Sequence, residues 1–126
     1  MKLRNILITN DDGIDSPGIW HLWHAVKDLA NITIVAPQTE QSVTALSITT
    51  RTPLRINKRA WESGEAYMVN GTPADCVKMA FSVIMKEKPD LVLSGINRGT
   101  NAGRNVLYSG TCGGAIESAL RGVPGI

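Results

Sequence analysis

Short, continuous runs of apolar residues alternate along the chain with longer stretches in which apolar residues recur at helical spacing. Three of the runs, at residues 6–8, 32–36 and 91–93, are rich in branched side chains and predict strands. Strands without a polar face are typical of a parallel sheet that is covered on both sides. The pattern therefore predicts an α/β fold, with a mostly parallel sheet between layers of helices.

The first amphipathic stretch predicts a helix between the first two strands. Ser16 is placed to cap this helix, and Pro17 suits its first position. His21 and His24 lie opposite the apolar face, so we expect both to be solvated rather than part of a site. The apolar face consists of Ile19, Leu22, Trp23, Val26 and Leu29 or Ala30.

Two further helices are predicted downstream. Thr72 and Asp75 have the spacing of a capping box at the start of the second helix, and Pro89 closes it. The third helix is predicted from residue 111 to about residue 121, with Gly122 as its C-terminal stop. These helices supply the remaining helical layers of the predicted fold.

A β-hairpin is predicted from residues 54–62 and 65–69, with its turn at Ser63 and Gly64. The last residues, RGVPGI, resemble the opening of another strand, so the chain looks truncated. With 126 residues and 43% hydrophobic content it has the size of one domain, which we assign to residues 1–126.

Charge and cysteine content argue against several classes of function. The net charge is +2 and no run of Lys and Arg exceeds two residues, which disfavours a nucleic-acid groove or a membrane-binding patch. We find no secretory signal and no membrane-spanning stretch, so we expect a cytoplasmic protein. Cys76 and Cys112 lack the CxxC spacing of a zinc site, and we interpret them as core thiols in a reducing compartment.

Two adjacent carboxylates, Asp11 and Asp12, follow the first predicted strand. Burying neighbouring like charges is costly, and ligands of open α/β sheets bind at the carboxyl ends of the strands. A divalent cation such as Mg²⁺ or Mn²⁺ offsets that cost, whereas the alternative is a simple turn that caps the next helix. Ser42 and Asn97 follow the second and third strands and bring neutral oxygen donors to the same edge, which favours the metal site.

A phosphate site is predicted at the start of the third helix, at Ser109, Gly110 and Thr111. The free N–H groups of a helix start bind anions, and glycine lets a phosphate approach the backbone. An ordinary Ser/Thr cap is the alternative. The chain has no Walker motif and no GxGxxG after its first strand, so triphosphate and dinucleotide cradles are poorly supported.

Five segments resemble, in order, the signature segments of the SurE family of survival proteins and 5'/3'-nucleotidases: TNDDGIDSPGI, VAP followed by QS, VNGTPADCV, DLVLSGINRGTN and YSGTCGGAIESA. The resemblance implies a Rossmann-like three-layer sandwich and a phosphomonoesterase that depends on one divalent metal. It implies nucleoside 5'- and 3'-monophosphates as substrates, with short polyphosphate as a further candidate. It also implies a homodimer or tetramer at full length, since SurE proteins continue well past this chain.

The family's metal ligands correspond to the four residues that the positions of the strand ends already predict: Asp11, Asp12, Ser42 and Asn97. Its phosphate contacts fall on Ser109, Gly110 and Thr111, with Asn97 and Asn101 beside them. The block at residues 71–75 is a family signature to which we assign no catalytic role. Two positions depart from the family pattern, namely Gln41, where many members are basic, and Cys112, at a valine-like position.

Asp11 and Asp12 are also the candidate catalytic residues. Either carboxylate can orient or deprotonate an attacking water, or can itself form an aspartyl-phosphate, and the sequence leaves both open. Two other functions stay as alternatives. One is a nucleotide- or phosphate-binding module without turnover. The other is an α/β reductase, which is disfavoured because carboxylates stand where a pyrophosphate needs glycine amides.

Overall fold

A computed structural model describes residues 3–39, 53–96 and 110–126, with the backbone alone at residues 110–113. In these ranges the sheet has five strands in the order β3-β4-β2-β1-β5. Their bounds are β1 Asn5–Thr9, β2 Asn31–Pro37, β3 Ile56–Trp61, β4 Gly64–Val69 and β5 Leu91–Ser94. The three strands predicted from apolar runs are confirmed as β1, β2 and β5.

The sheet is parallel except where β3 pairs with β4. β1 lies between β2 and β5, so Ile6 is in register with both Ile32 and Leu91. The chain builds the sheet on one side of β1 and then crosses to the other side for β5. Such a reversal of strand order is where α/β folds bind ligands, at the carboxyl ends of the strands.

Helices cover both faces of the sheet, which confirms the predicted three-layer α/β architecture. Helix α1 (Pro17–Val26) packs on one face, and α2 (Pro73–Met79) and α3 (Gly110–Leu120) pack on the other. The core on the α1 side contains Ile6, Ile8, Ile14, Ile19, Trp23, Ile34, Ala36 and Ala66. The core on the α2 side contains Leu7, Val35, Val69, Cys76, Val77, Ala80, Val92 and Val123.

Helix α1 is shorter at its C-terminus than the apolar pattern predicted. It ends at Val26, whose carbonyl accepts a hydrogen bond from the Leu29 N–H, and Leu29 is 65% exposed. The predicted positions of Ser16 at the N-cap and Pro17 at the first position are confirmed, but the Ser16 side chain makes no capping hydrogen bond. His21 and His24 are exposed, as predicted.

Helix α2 begins with the predicted capping box. The Asp75 N–H donates to Thr72 Oγ1 (3.1 Å), and the Thr72 N–H donates to Asp75 Oδ2 (2.9 Å). A Cβ at Gly71 would lie 2.5 Å from Asp75 Oδ2, so the buried carboxylate requires glycine there. The segment continues as a π-helical turn, Ala80–Ile84, and leaves the helix before Pro89. Residues 71–75 therefore have a structural role.

The hairpin turns one residue earlier than predicted. Its loop consists of Glu62 and Ser63, while Gly64 pairs with Trp61 at a φ of +127°. At the other edge of the sheet, Gly125 pairs in parallel with Val92 of β5, which agrees with a strand opening in the last residues. None of the described helices is long and apolar enough to cross a membrane.

The Asp90 side chain links the start of β5 to the start of β1 by hydrogen bonds. Its Oδ2 accepts hydrogen bonds from the N–H groups of Asn5 (2.9 Å) and Arg4 (2.8 Å), which lower the pKa of the carboxyl in that order of importance. A carboxyl whose pKa is lower in the folded chain than in the unfolded chain stabilises the fold at pH values above its unfolded pKa. That stabilisation disappears as the pH falls through the pKa of the folded chain.

We therefore expect Asp90→Asn to reduce the pH dependence of the free energy of unfolding below about pH 4. The difference in free energy of unfolding between wild type and variant should be larger at pH 6 than at pH 3. Asp28→Asn is the control, because Asp28 is 90% exposed in its side chain. Denaturant titrations at the two pH values measure the effect, and an equal difference at both would contradict the assignment.

Candidate metal and phosphate site

The loop of residues 10–16, called the site loop below, leaves the carboxyl end of β1 and carries Asp11 and Asp12. Asn10 is fully buried and closes the loop on itself. Its Nδ2 donates to the Gly13 carbonyl (2.8 Å), and the Gly13 N–H donates back to Asn10 Oδ1 (3.2 Å). Gly13 has a φ of +99°, a conformation that favours glycine. The reciprocal bonds fix the segment that holds both carboxylates.

Backbone hydrogen bonds join the site loop to the ends of the neighbouring strands. The Ile14 N–H donates to the Pro37 carbonyl at the end of β2 (2.9 Å). On the other side, the Gly95 N–H, directly after β5, donates to the Thr9 carbonyl at the end of β1 (3.0 Å). The segments that follow β1, β2 and β5 therefore meet at one edge of the sheet.

The segment after β5 also lies against the start of α1. A Cβ added to Gly18 would be 2.1 Å from the Ile96 carbonyl oxygen, so the first turn of α1 needs glycine at this contact. Ile96 directly precedes Asn97 in the sequence. The close approach brings the chain that leads into Asn97 to the first turn of the helix that follows the site loop.

Asp11 is buried, with 8% of its surface exposed, and Asp12 is half-buried. Two carboxylates in this setting are oxygen donors suited to a hard divalent cation such as Mg²⁺ or Mn²⁺. In the described ranges no group of three or more His, Cys, Asp or Glu residues can hold a metal ion. The predicted donor set needs only the two aspartates from these types, since Ser42 and Asn97 supply a hydroxyl and an amide.

Four of the predicted site residues lie outside the described residues: Ser42, Asn97, Asn101 and Ser109. The departure at Gln41 also lies outside them. Gly110 and Thr111 form the start of α3, where the backbone is described and the side chains are not. The same holds for Cys112.

Helix α3 starts at the same edge of the sheet as the site loop. A Cβ at Gly114 would lie 3.0 Å from Thr9 Cγ2 and 3.1 Å from Ser94 Oγ, the last residues of β1 and β5. Gly114 is in the first half of this helix, so the free N–H groups of the helix start are near the carboxyl ends of both strands. The predicted phosphate segment and the two aspartates thus share one end of the fold.

The Asn10–Gly13 bonds form a turn, the feature that the sequence offered as the alternative to a metal site. One contact of the site loop was missed in the sequence, namely an ion pair between Asp15 and Arg59 of β3, which raises the pKa of the arginine. These two residues are 44 positions apart, and no local pattern relates them.

Cys76 lies in α2 and is fully buried. Burial raises the pKa of its thiol, because the charged thiolate is disfavoured away from water. The thiol therefore stays protonated at neutral pH. The prediction that Cys76 fills the core is confirmed.

Comparison with known proteins adds to this geometry. The model of the family described as "Survival protein SurE" matches residues 6–126. The chain is 56% identical over 123 residues to the 5'-nucleotidase SurE of Protochlamydia amoebophila (strain UWE25), covering 96% of this chain and 47% of that protein. It is 54% identical over 123 residues to the 5'-nucleotidase SurE of Thermosipho melanesiensis (strain DSM 12029 / CIP 104789 / BI429), covering 97% of this chain and 48% of that protein.

A solved structure gives the same result. The chain resembles the crystal structure of the SurE protein from Aquifex aeolicus with a TM-score of 0.85 at 43% identity, covering 96% of this chain and 48% of that one. It spans about half the length of the curated relatives it matches. From the family match over residues 6–126 and from the shared fold, the chain belongs to the SurE family.

Proposed function

We propose that residues 1–126 form the metal- and phosphate-binding part of a 5'-nucleotidase, an enzyme that hydrolyses nucleoside monophosphates to nucleoside and phosphate. The observation that carries the proposal is the buried Asp11 beside Asp12 at the point where the strand order reverses. The relatives that carry the name 5'-nucleotidase SurE support it. Nucleoside 3'-monophosphates and short polyphosphate belong to the proposed substrate range, and the longer protein is proposed to form a dimer or tetramer.

One divalent cation, Mg²⁺ or Mn²⁺, is proposed as the cofactor, held by Asp11, Asp12, Ser42 and Asn97. A cation held there would lower the pKa of a bound water and neutralise charge on the phosphoryl group. Asn10 supports the donors, because its bonds to the Gly13 backbone restrict how the two carboxylates move. Fixed donors cost less entropy on binding than donors that have to be ordered first.

The start of α3 is proposed to bind the phosphate of the substrate. Unpaired N–H groups of a helix start and the positive end of its dipole attract an anion, and Gly110 leaves the backbone accessible. Ser109 and Thr111 are proposed to add hydroxyl donors, with Asn97 and Asn101 as amide donors. The phosphoryl group would then lie between the start of α3 and the carboxylates at the end of β1.

Asp11 and Asp12 are the proposed catalytic residues. One carboxylate can accept a proton from the attacking water, which makes it a general base. In the alternative, one carboxylate oxygen attacks phosphorus and displaces the nucleoside, whose ester oxygen takes up a proton, and water later hydrolyses the aspartyl-phosphate to aspartate and phosphate. Trapping of ³²P on the protein after an acid quench distinguishes the two, since only the second route leaves label on the chain.

The test is phosphate release from nucleoside 5'- and 3'-monophosphates and from short polyphosphate. We expect release with Mn²⁺ or Mg²⁺ and none with excess chelator. Saturable binding of a nucleotide without phosphate release under any of these conditions would instead favour a binding module.

We expect Asp11→Asn or Asp12→Asn to lower turnover by orders of magnitude, because each removes a charged donor with little change of shape. The fold should survive. The metal-free chain should be at least as stable as wild type, since the change relieves repulsion between neighbouring carboxylates. Turnover, Mn²⁺ affinity and thermal midpoint measure these effects, with Asp28→Asn as the exposed control. Unchanged turnover and unchanged Mn²⁺ affinity would contradict the assignment.

We expect Gly110→Val to weaken binding of a nucleoside monophosphate much more than binding of Mn²⁺. The branched side chain occupies the space through which a phosphate reaches the backbone of α3. Ala119→Val is the control, since it adds a branched side chain at the exposed end of the same helix. Calorimetric titrations with each ligand measure both affinities. Loss of Mn²⁺ affinity with intact nucleotide affinity would show that the segment belongs to the other ligand.

A further inference from the structure

An ion pair joins the site loop to the hairpin formed by β3 and β4. The carboxylate of Asp15 accepts hydrogen bonds from both terminal nitrogens of Arg59, from Nη1 to Oδ1 and from Nη2 to Oδ2, the latter at 3.2 Å. A forked contact of this kind fixes the orientation of both side chains as well as their distance. Asp15 lies only three residues after Asp12.

The hairpin is held against α1 without help from Arg59. The ring of Trp61 packs edge-on against Trp23, with centroids 5.8 Å apart and an interplanar angle of 89°. At the turn, Trp20 Nε1 donates a hydrogen bond to Glu62 Oε1 (3.2 Å). β4 also pairs in parallel with β2 inside the sheet. Arg59 therefore extends from an anchored element toward a loop that carries two candidate metal ligands.

Besides this ion pair, the second half of the site loop is held by the Ile14 side chain, which is buried in the core on the α1 side, and by backbone hydrogen bonds. The Ile14 N–H donates to the Pro37 carbonyl, and the Ser16 N–H donates to the Gly13 carbonyl (3.1 Å). Asp15 stands between these two residues and connects by its side chain to Arg59. Movement of this half of the loop would carry Asp12 with it, since the chain between them is only two residues long.

We propose that Arg59 and Asp15 are positioning residues of the metal site, whose ion pair holds the site loop so that Asp11 and Asp12 present their carboxylates to one cation. This inference rests on the metal site proposed above. It adds Arg59, a residue of the hairpin, to the residues that support the proposed metal site.

A positioning role and a purely electrostatic role predict opposite changes in Mn²⁺ affinity for Arg59→Gln. If Arg59 acted only through its charge, Arg59→Gln would remove a repulsive cation and tighten Mn²⁺ binding, while Asp15→Asn would weaken it. If the pair positions the loop, both variants weaken Mn²⁺ binding, because each releases the same contact. The sign of the Arg59→Gln effect therefore separates the two explanations.

Lys58→Gln is the matched control. Lys58 is the neighbour of Arg59 in β3, carries the same charge, and pairs with Glu65 of β4 at 3.5 Å. Its removal changes the net charge as Arg59→Gln does, but leaves the contact with the site loop intact. The fluorescence of the cluster of Trp20, Trp23 and Trp61 verifies in each variant that the hairpin stays packed on α1.

The experiment is a titration of the 126-residue chain with Mn²⁺ alone. We expect Arg59→Gln and Asp15→Asn each to weaken Mn²⁺ binding by about twofold to fivefold, the range of an exposed ion pair. The double variant should be no weaker than either single variant, and the exchanged pair Asp15→Arg with Arg59→Asp should recover part of the loss. Amide hydrogen exchange at Ile14 and Ser16 in the metal-free chain should accelerate in both single variants and stay unchanged in Lys58→Gln.

Tighter Mn²⁺ binding in Arg59→Gln, or an effect equal to that of Lys58→Gln, would overturn the positioning role and leave the proposed metal site intact. The positioning role would also be overturned if the losses of Mn²⁺ affinity of the two single variants added up in the double variant. Two substitutions that release the same contact should not have additive effects. A wild-type chain that bound no Mn²⁺ would overturn the proposed metal site, and this inference with it.

Discussion

Parallel pairing of β1 with both β2 and β5 is the constraint on which the rest of this structure depends. With Ile6 in register with Ile32 and Leu91, the three strands begin side by side and end at one edge of the sheet. Parallel strands need crossover connections, and these return the chain to the opposite edge before each new strand. Consequently, the loops that follow the strands gather at one end, and the helix starts gather with them. Asp11, Asp12 and the start of α3 come together for this reason.

The elements that the sequence predicts well are those whose signal is local. Continuous apolar runs identify β1, β2 and β5, and their lack of a polar face indicates a sheet covered on both sides. The capping box of Thr72 and Asp75 and the stop at Gly122 depend on residues a few positions apart, and both are found as predicted. The strand directions predict the edge of the sheet at which Asp11 and Asp12 lie. The location of these two candidate residues in the fold could therefore be predicted from the sequence.

The errors and omissions come from tertiary contacts. The apolar pattern extends α1 to Leu29 or Ala30, but Asn31 must already pair with Asn5 as the first residue of β2, so the helix ends at Val26. The hairpin turn moves by one residue because Gly64 joins the β4 ladder. The Arg59–Asp15 pair joins positions 44 residues apart, and its existence follows from the packing of the hairpin on α1.

The central claim is that the end of β1 holds a divalent cation on Asp11 and Asp12. The most direct measurement is an anomalous difference map from crystals grown with Mn²⁺ and recorded at the manganese absorption edge. The account predicts one strong peak within bonding distance of both carboxylates, next to the segment after β5. A peak only at other carboxylates, or no peak at saturating Mn²⁺, would contradict the account.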